Sequence, residues 1–136
     1  MSSTEQTLSI IKPDAVERNL TEDIKKIFIK NSLKVLNSKK IHISKEEAAE
    51  FYKVHQARPF YNDLCAYLSS GPIFVMVLEG NNAVALNRKL MGATNPKDAE
   101  SNTIRKLYGI SIDKNSVHGS DSVENAKIEI DFFFKN

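Results

Sequence analysis

The residues with the greatest chemical potential are a histidine and the small polar residues around it, in the segment VHGSDS. A neutral imidazole is nucleophilic and basic near physiological pH, so His118 could accept a phosphoryl group or a proton. Gly119 lacks a β-carbon and would let a ligand or another backbone segment approach closely. Ser120 or Asp121, followed by Glu124, resembles a helix N-terminal cap, where free amides favour a phosphate. A lone histidine is more often structural, so His118 does not identify a function by itself.

Arginine is used sparingly, and two of the four arginines lie near each other in the predicted layout. Arg88 is near the end of a predicted helix that precedes Thr94, and Arg105 lies in the long connection that follows. Arginine binds phosphate through two parallel hydrogen bonds, so these three residues are candidates for one anion site. Lys12, at the carboxyl end of the first predicted strand, could also contact a phosphate. Taken singly, each arginine is more simply interpreted as a solvated surface cation.

Three aromatic residues, Tyr52, Phe60 and Tyr61, lie in or between two predicted helices. Phe60 follows a proline and could stack on a base, although a core position is the simpler interpretation. The glycine-rich phosphate loops G-x-x-x-x-G-K-[ST] and G-x-G-x-x-G are absent. The three histidines lack metal-site spacing, and the single cysteine can form neither a zinc site nor an intrachain disulfide. No metal site on the protein is predicted.

Composition predicts one globular domain spanning residues 1–136. Hydrophobic residues make up 41% and charged residues 26%, as in an ordinary globular protein. The formal net charge of +2 is too small to suggest a nucleic-acid groove. No signal-peptide pattern and no apolar run long enough to cross a membrane are present, so we expect a cytoplasmic protein with no membrane association.

Hydrophobic periodicity predicts an alternation of strands and helices. The predicted order is strand, helix, strand, helix pair, strand, helix, connection, short edge strand and final helix. This order favours an α+β protein with a ferredoxin-like βαββαβ core and a four-stranded, mostly antiparallel sheet. The helix pair is then an inserted helical hairpin, and the last helix is a C-terminal addition. The strands are predicted at 7–11, 33–43, 73–79 and a short segment ending at His118.

Several longer motifs resemble those of nucleoside diphosphate kinases in order and spacing. They are IIKPDAV, HQARPFYNDL, SGP, GATNP, TIR and NSVHGSDSVENAKIEI, and they extend over nearly the whole chain. HGSDS preceded by GATNP is highly specific. The resemblance implies reversible transfer of the γ-phosphate of a nucleoside triphosphate to a nucleoside diphosphate. The implied route is ping-pong, through a phosphohistidine on His118, with broad base tolerance.

The resemblance also implies roles for individual residues. The implied catalytic residues are His118, Glu129, Lys12, Tyr52 and Ser120. The implied nucleotide-binding residues are Lys12, Phe60, Leu64, Arg88, Thr94, Arg105, Ile112 and Asn115. Mg²⁺ is expected to arrive on the nucleotide phosphates, since it keeps most of its water. The implied assembly is a homo-oligomer, either a tetramer or a hexamer, and no specific nucleic acid is expected as a partner.

Some positions depart from the family pattern without replacing any residue of the implied site. Asn19 stands where the family frequently has glycine, and Ser101-Asn102 stand where it usually has Pro-Gly. Lys106-Leu107 and Asp113-Lys114 also differ from the usual residues, so most departures lie within 101–114.

Two alternatives belong to other functional classes. One is a nucleotide-binding or partner-binding module that has kept the fold and lost the reaction. Retention of His118 together with Lys12, Arg88 and Glu129 argues against it, since a binder needs no nucleophile. The other is an RNA-binding ferredoxin-like domain, which has little support from charge and lacks the aromatic RNA-binding motif.

Overall fold

A four-stranded antiparallel sheet forms the centre of the computed structural model, which describes residues 4–53, 61–110, 114 and 116–134. Its strands are β1 (Thr4–Ile11), β2 (Lys34–Ile41), β3 (Ile73–Asn81) and β4 (Val117–Gly119). They lie in the order β2-β3-β1-β4, and each neighbouring pair is antiparallel. The predicted α+β class, ferredoxin-like core and edge position of the last strand are therefore confirmed.

Seven α-helices surround this sheet in the described residues. They are α1 (Pro13–Glu17), α2 (Thr21–Lys30), α3 (Lys45–Phe51), α4 (Tyr61–Leu68), α5 (Ala83–Met91), α6 (Ile104–Tyr108) and α7 (Val123–Phe134). Helices α3 and α4 form the inserted hairpin, and α7 is the added C-terminal helix. The connection after α5 contains α6 and a short 3-10 turn at Pro96–Asp98. The sequence predicts a mostly irregular connection with a helical turn at TIRKLY. That turn is confirmed as α6, whereas the 3-10 turn was not predicted.

The two faces of the sheet carry separate hydrophobic clusters, because side chains alternate along β1. Leu8 and Ile10 are buried in a cluster with residues of α3, α4 and α7. Ile11 is buried in the other cluster, with residues of α2 and α5. Each face is thus covered by helices, and the short strand β4 lies at the edge beside β1.

Local helix signals were predicted with mixed success. The spacing Ser44-x-x-Glu47 predicts a capping box at the start of α3, which the structure confirms. Ser44 Oγ accepts from the Glu47 N–H at 3.1 Å, and Glu47 Oε1 accepts from the Ser44 N–H at 2.9 Å. The predicted cap of α7 at Ser120 or Asp121 is wrong. Ser122 caps this helix instead, since its hydroxyl accepts from the Asn125 N–H at 3.1 Å.

Packing of the last helix also differs from the prediction in one position. Helical spacing predicts that Val123, Ala126, Ile130 and Phe133 or Phe134 face the core, but Val123 is 51% exposed. Because α7 begins at this residue, the side chain lies at the exposed first turn. Ala126 and Phe133 are buried as predicted.

Two asparagines explain part of the departure from the family pattern. Asn19 has φ 60° and Asn102 has φ 69°, both in the left-handed region. Glycine adopts this region most readily, and asparagine is the residue type that next tolerates it. The backbone therefore keeps a glycine-like turn at both positions although the residue has changed.

Within the described part of the chain, no helix combines the length and apolar character that crossing a bilayer requires.

Candidate active site

His118 lies in the middle of edge strand β4, directly opposite Ile10 of β1. Its side chain is 20% exposed. The ring packs edge-on against Phe51 and Tyr52, with centroid separations of 5.3 and 6.4 Å. Aromatic contacts of this kind restrict the orientation of the imidazole while leaving part of it open.

Glu129 of α7 is hydrogen-bonded to the imidazole, which the sequence alone could not establish. His118 Nε2 lies 3.2 Å from Glu129 Oε1, and the Glu129 side chain is 19% exposed. The Ser120 hydroxyl donates to the same oxygen at 2.8 Å. Ser120 Oγ also accepts from the Leu8 N–H at 3.3 Å, so the carboxylate is tied to β1. Three of the residues implied by the family resemblance therefore form one hydrogen-bonded chain.

These hydrogen bonds determine which nitrogen of the His118 imidazole carries the proton. A carboxylate oxygen can only accept, so the nitrogen that faces it carries the hydrogen. Nε2 is then the N–H, and Nδ1 has the lone pair of the neutral ring. Nδ1 is therefore the ring nitrogen whose lone pair the contact with Glu129 leaves available.

The predicted reason for Gly119 is only half correct. A β-carbon at this position would lie 2.3 Å from Asn87 Nδ2 and 2.8 Å from Met91 Cε. Both residues belong to α5, and strand alternation puts them on the face opposite the imidazole. The glycine allows a close approach, as predicted, but the approaching group is helix α5. The position of Gly119 directly after His118 also suggests that the missing β-carbon clears space around the imidazole, and that expectation is wrong.

Lys12 and Tyr52 lie on the same face of the sheet as His118. Lys12 follows β1 in an extended conformation, two residues after Ile10, and is 6% exposed. Tyr52 is 5% exposed and contacts the imidazole edge-on. Burial raises the pKa of Tyr52, with smaller contributions from Cys65 and Glu129. Its hydroxyl is therefore protonated at neutral pH.

The two arginines differ in their surroundings. Arg105 is 9% exposed and donates to the carbonyl oxygens of Gly92 and Val117, each at 2.9 Å. Its Nε is buried without a hydrogen-bond partner in the described part of the chain. Burial and the charge of Arg88 lower the pKa of Arg105 to about 10, which leaves it charged at neutral pH. Arg88 is exposed and lies close enough to Arg105 to repel it.

Asp121 interacts electrostatically with both Arg88 and His118. The Asn125 side chain donates to Asp121 Oδ1 at 2.6 Å and is the largest cause of the lowered pKa of Asp121. Arg88 and His118 contribute to the same lowering. Arg88 thus lies within electrostatic reach of Arg105 and, like His118, of Asp121.

The remaining predicted positions lie at other places on the surface or outside the described residues. Leu64 lines an open depression of about 210 Å³ with Asp63, Tyr67 and Lys114. Thr94 is exposed in the connection that follows α5. Phe60, Ile112 and Asn115 fall outside the described residues.

Sequence reasoning missed a buried polar cluster next to Lys12. Asp14 is 6% exposed and is hydrogen-bonded to Arg18, Tyr67 and Ser116. The available signal was a charged residue directly after Lys-Pro, at the end of an apolar strand. Its partners are distant in sequence, so they could not have been identified from spacing.

Comparison with known proteins shows the family. The family model described as nucleoside diphosphate kinase matches residues 5–136. A nucleoside diphosphate kinase of Rhizorhabdus wittichii is 60% identical over 133 residues, which are 98% of this chain and 95% of that protein. One from Campylobacter fetus is 58% identical over 96% of this chain and 95% of its own length.

Solved structures give the same result at lower sequence identity. The nucleoside diphosphate kinase of Aquifex aeolicus superposes with a TM-score of 0.97 at 39% identity, covering 98% of this chain and 97% of that one. The corresponding enzyme of Encephalitozoon cuniculi superposes with a TM-score of 0.93 at 39% identity, covering 97% of this chain and 90% of that one. The chain therefore belongs to the nucleoside diphosphate kinase family.

Proposed function

We propose that the protein is an active nucleoside diphosphate kinase that works through a phosphohistidine on His118. The observation that carries the proposal is the 3.2 Å contact between Nε2 and Glu129, which leaves Nδ1 as the nucleophile. A binding module would have no need of an imidazole oriented by a carboxylate. The nearby charges of Arg88 and Arg105 favour an anionic substrate.

In the first half-reaction, Nδ1 of His118 attacks the γ-phosphorus of a nucleoside triphosphate in line. A nitrogen–phosphorus bond forms, the bond from the γ-phosphorus to the bridging oxygen breaks, and the nucleoside diphosphate leaves with that electron pair. The Nε2 proton remains on the ring. The phosphorylated ring is therefore cationic, and Glu129 stabilises that charge while Ser120 holds the carboxylate in place. The second half-reaction reverses these steps with another nucleoside diphosphate.

The surrounding cations bind the phosphates of the nucleotide. We propose that Lys12 and Tyr52 contact the transferred phosphoryl group, and that Arg88, Thr94 and Arg105 hold the remaining phosphates. Phosphoryl transfer needs mainly positioning and charge neutralisation, which these side chains supply. Arg105 also donates to the Val117 carbonyl, so it braces the strand beside the nucleophile.

Broad base tolerance is part of the same proposal. Phe60 would stack on the base, and Leu64 and Ile112 would line the pocket. Lys12 and Asn115 would bind the ribose hydroxyls. Every base has an aromatic face, so stacking does not discriminate strongly between bases.

Mg²⁺ fits this site as a companion of the nucleotide. Among the described residues, no group of three or more His, Cys, Asp or Glu side chains could hold a metal ion. The described site offers cations, which suit phosphate oxygens. When bound to the phosphates, Mg²⁺ supplies further charge neutralisation and keeps most of its water. We therefore propose Mg²⁺ as part of the substrate complex.

Family membership also supports a proposal for the location and assembly of the protein. We propose that residues 1–136 act as one nucleoside diphosphate kinase domain in the cytoplasm. We also propose that the chain assembles into a homo-oligomer, either a tetramer or a hexamer. Sedimentation of the purified protein would distinguish these two assemblies.

The central test is incubation with γ-labelled ATP and Mg²⁺. We expect an acid-labile, alkali-stable phosphoenzyme that ADP, GDP, CDP and UDP all discharge. A His118→Gln variant should take up no label. Labelling of that variant would remove the assignment of the nucleophile. Nucleotide binding by the wild-type protein without any labelling would favour the binding module instead.

A further inference from the structure

Asp14 is a buried carboxylate with no assigned part in the proposed reaction. It lies in the first turn of α1, and its side chain is 4% exposed. A buried charge is costly unless hydrogen bonds and opposite charges compensate it. Asp14 Oδ2 accepts from Ser116 Oγ at 3.0 Å and from Arg18 Nη2 at 3.2 Å. Asp14 Oδ1 accepts from the Tyr67 hydroxyl, so both oxygens are used.

The partners of Asp14 come from separate parts of the fold. Tyr67 belongs to α4, and its hydroxyl oxygen also accepts from the Asp14 N–H at 2.9 Å. Burial and the hydrogen bond to Asp14 raise the pKa of Tyr67, which keeps this hydroxyl a donor. Arg18 donates to the carbonyl oxygen of Tyr108, the last residue of α6, at 2.6 Å. A single carboxylate therefore joins α1, α4, α6 and the residue that precedes β4.

Ser116 is the member of this cluster nearest the nucleophile. It is fully buried and has φ 74°, a left-handed conformation that few residues other than glycine adopt. Such a conformation persists only where the surroundings determine it. The Ser116 carbonyl accepts from the Lys12 N–H at 2.8 Å. Ser116 also lies two residues before His118, so the strained residue connects the two proposed phosphoryl contacts.

We propose that Asp14 is a positioning residue, which sets Lys12 and His118 against each other by holding Ser116 in its left-handed conformation. This inference rests on the proposed function, in which both residues engage one phosphoryl group. A displacement of about 1 Å at a reacting group can lower a rate by about 100-fold. Loosening Ser116 should therefore reduce phosphoryl transfer more than nucleotide binding.

The test compares Asp14→Asn with two further variants. Asn keeps the size of the side chain, but one of its two acceptor oxygens becomes an N–H₂ group, which cannot accept from Ser116, Arg18 or Tyr67. Tyr67→Phe removes only one hydrogen-bond donor to Asp14, so it tests the same cluster if Asp14→Asn does not fold. Ile24→Val is the stability control, because it removes one methyl group from the core beneath α2, in the cluster on the other face of the sheet.

The main readout is phosphoenzyme formation in a single turnover at saturating Mg²⁺-ATP, well below the unfolding temperature. We expect the rate constant to fall about tenfold or more in Asp14→Asn and less in Tyr67→Phe. The KM for ATP should change less than this rate constant. Ile24→Val should unfold at a lower temperature and react at the wild-type rate.

A second readout does not depend on activity. Hydrogen exchange of the Lys12 amide, followed by NMR, should accelerate in Asp14→Asn because the bond to Ser116 loosens. A wild-type rate in Asp14→Asn, accompanied only by a lower unfolding temperature, would make Asp14 purely structural and overturn the proposal. If the wild-type protein takes up no label, the proposed function fails, and the exchange readout judges the positioning separately. In that case, unchanged protection of the Lys12 amide in Asp14→Asn would refute the positioning role of Asp14.

Discussion

The two faces of strand β4 differ in whether their polar side chains are hydrogen-bonded. On the face of His118, Ser120 and Glu129 satisfy each other and the imidazole through hydrogen bonds. On the face of Gly119, the side-chain amide of Asn87 and the hydroxyl of Ser9 are fully buried without hydrogen-bond partners in the described part of the chain. His118 thus faces a set of hydrogen-bonded side chains, whereas the adjacent Gly119 packs closely against helix α5.

The difference shows how the strand can hold a reactive group at the edge of a sheet. Hydrogen bonds on one face fix the orientation of the ring, whereas packing of α5 on the other face fixes the position of the backbone. A buried donor or acceptor without a partner costs about 1–3 kcal/mol. The Gly119 face therefore contributes through close packing and carries that cost, while the His118 face holds the residues of the proposed reaction.

The largest expected effect is that of Glu129→Gln, which disrupts the hydrogen bonds on the His118 face of β4. The amide removes the negative charge that, in the proposed mechanism, stabilises the phosphorylated ring. We expect the rate of phosphoenzyme formation to fall about 100-fold, within the range for groups that assist proton and charge movement. Rapid-quench measurement of labelled protein would detect this fall. The exposed Asp131, on the same helix, offers Asp131→Asn as a control that should react normally. An unchanged rate in Glu129→Gln would separate Glu129 from the chemistry.

The second largest expected effect is that of Gly119→Ala, which disrupts the packing of α5 against β4. The new β-carbon would lie 2.3 Å from Asn87 Nδ2, so the helix or the strand must move. Overpacking of this kind lowers the free energy of unfolding by about 2 kcal/mol. Urea denaturation of this variant, Asn87→Ala and the double variant gives a double-mutant cycle. We expect the double variant to be more stable than the sum of the single changes predicts. Strict additivity would show that Asn87 is not the obstacle.

The sequence predicted features that depend on neighbouring residues. The order of strands and helices along the chain, the capping box at Ser44 and the helix end at Gly92 follow from periodicity and from signals a few residues apart. The motifs that resemble the family also named the residues of the His118 chain. The contact between His118 and Glu129 had to await the structure, because α7 and β4 are separate elements.

Features that depend on contacts across the fold were not predicted. The role of Gly119 was assigned to the wrong face, since nothing near it in sequence indicates that Asn87 packs there. The Asp14 cluster joins residues 53 and 102 positions apart, at Tyr67 and Ser116. The cap of α7 was misplaced because HGSDS contains several residues able to cap, and only the helix start selects Ser122.

The smallest expected effect distinguishes the two faces most sharply, through two fully buried serines. Ser120→Ala removes a hydroxyl that donates to Glu129 and accepts from the Leu8 N–H. This change should cost about 1 kcal/mol of stability, because it leaves those groups unpaired. Ser9→Ala removes a buried hydroxyl without a partner, so stability should stay the same or rise slightly. Urea denaturation gives both values, and the rate of phosphoenzyme formation should fall only in Ser120→Ala. Equal losses of stability in the two variants would mean that Ser9 is as firmly hydrogen-bonded as Ser120, and the contrast between the faces would then be wrong.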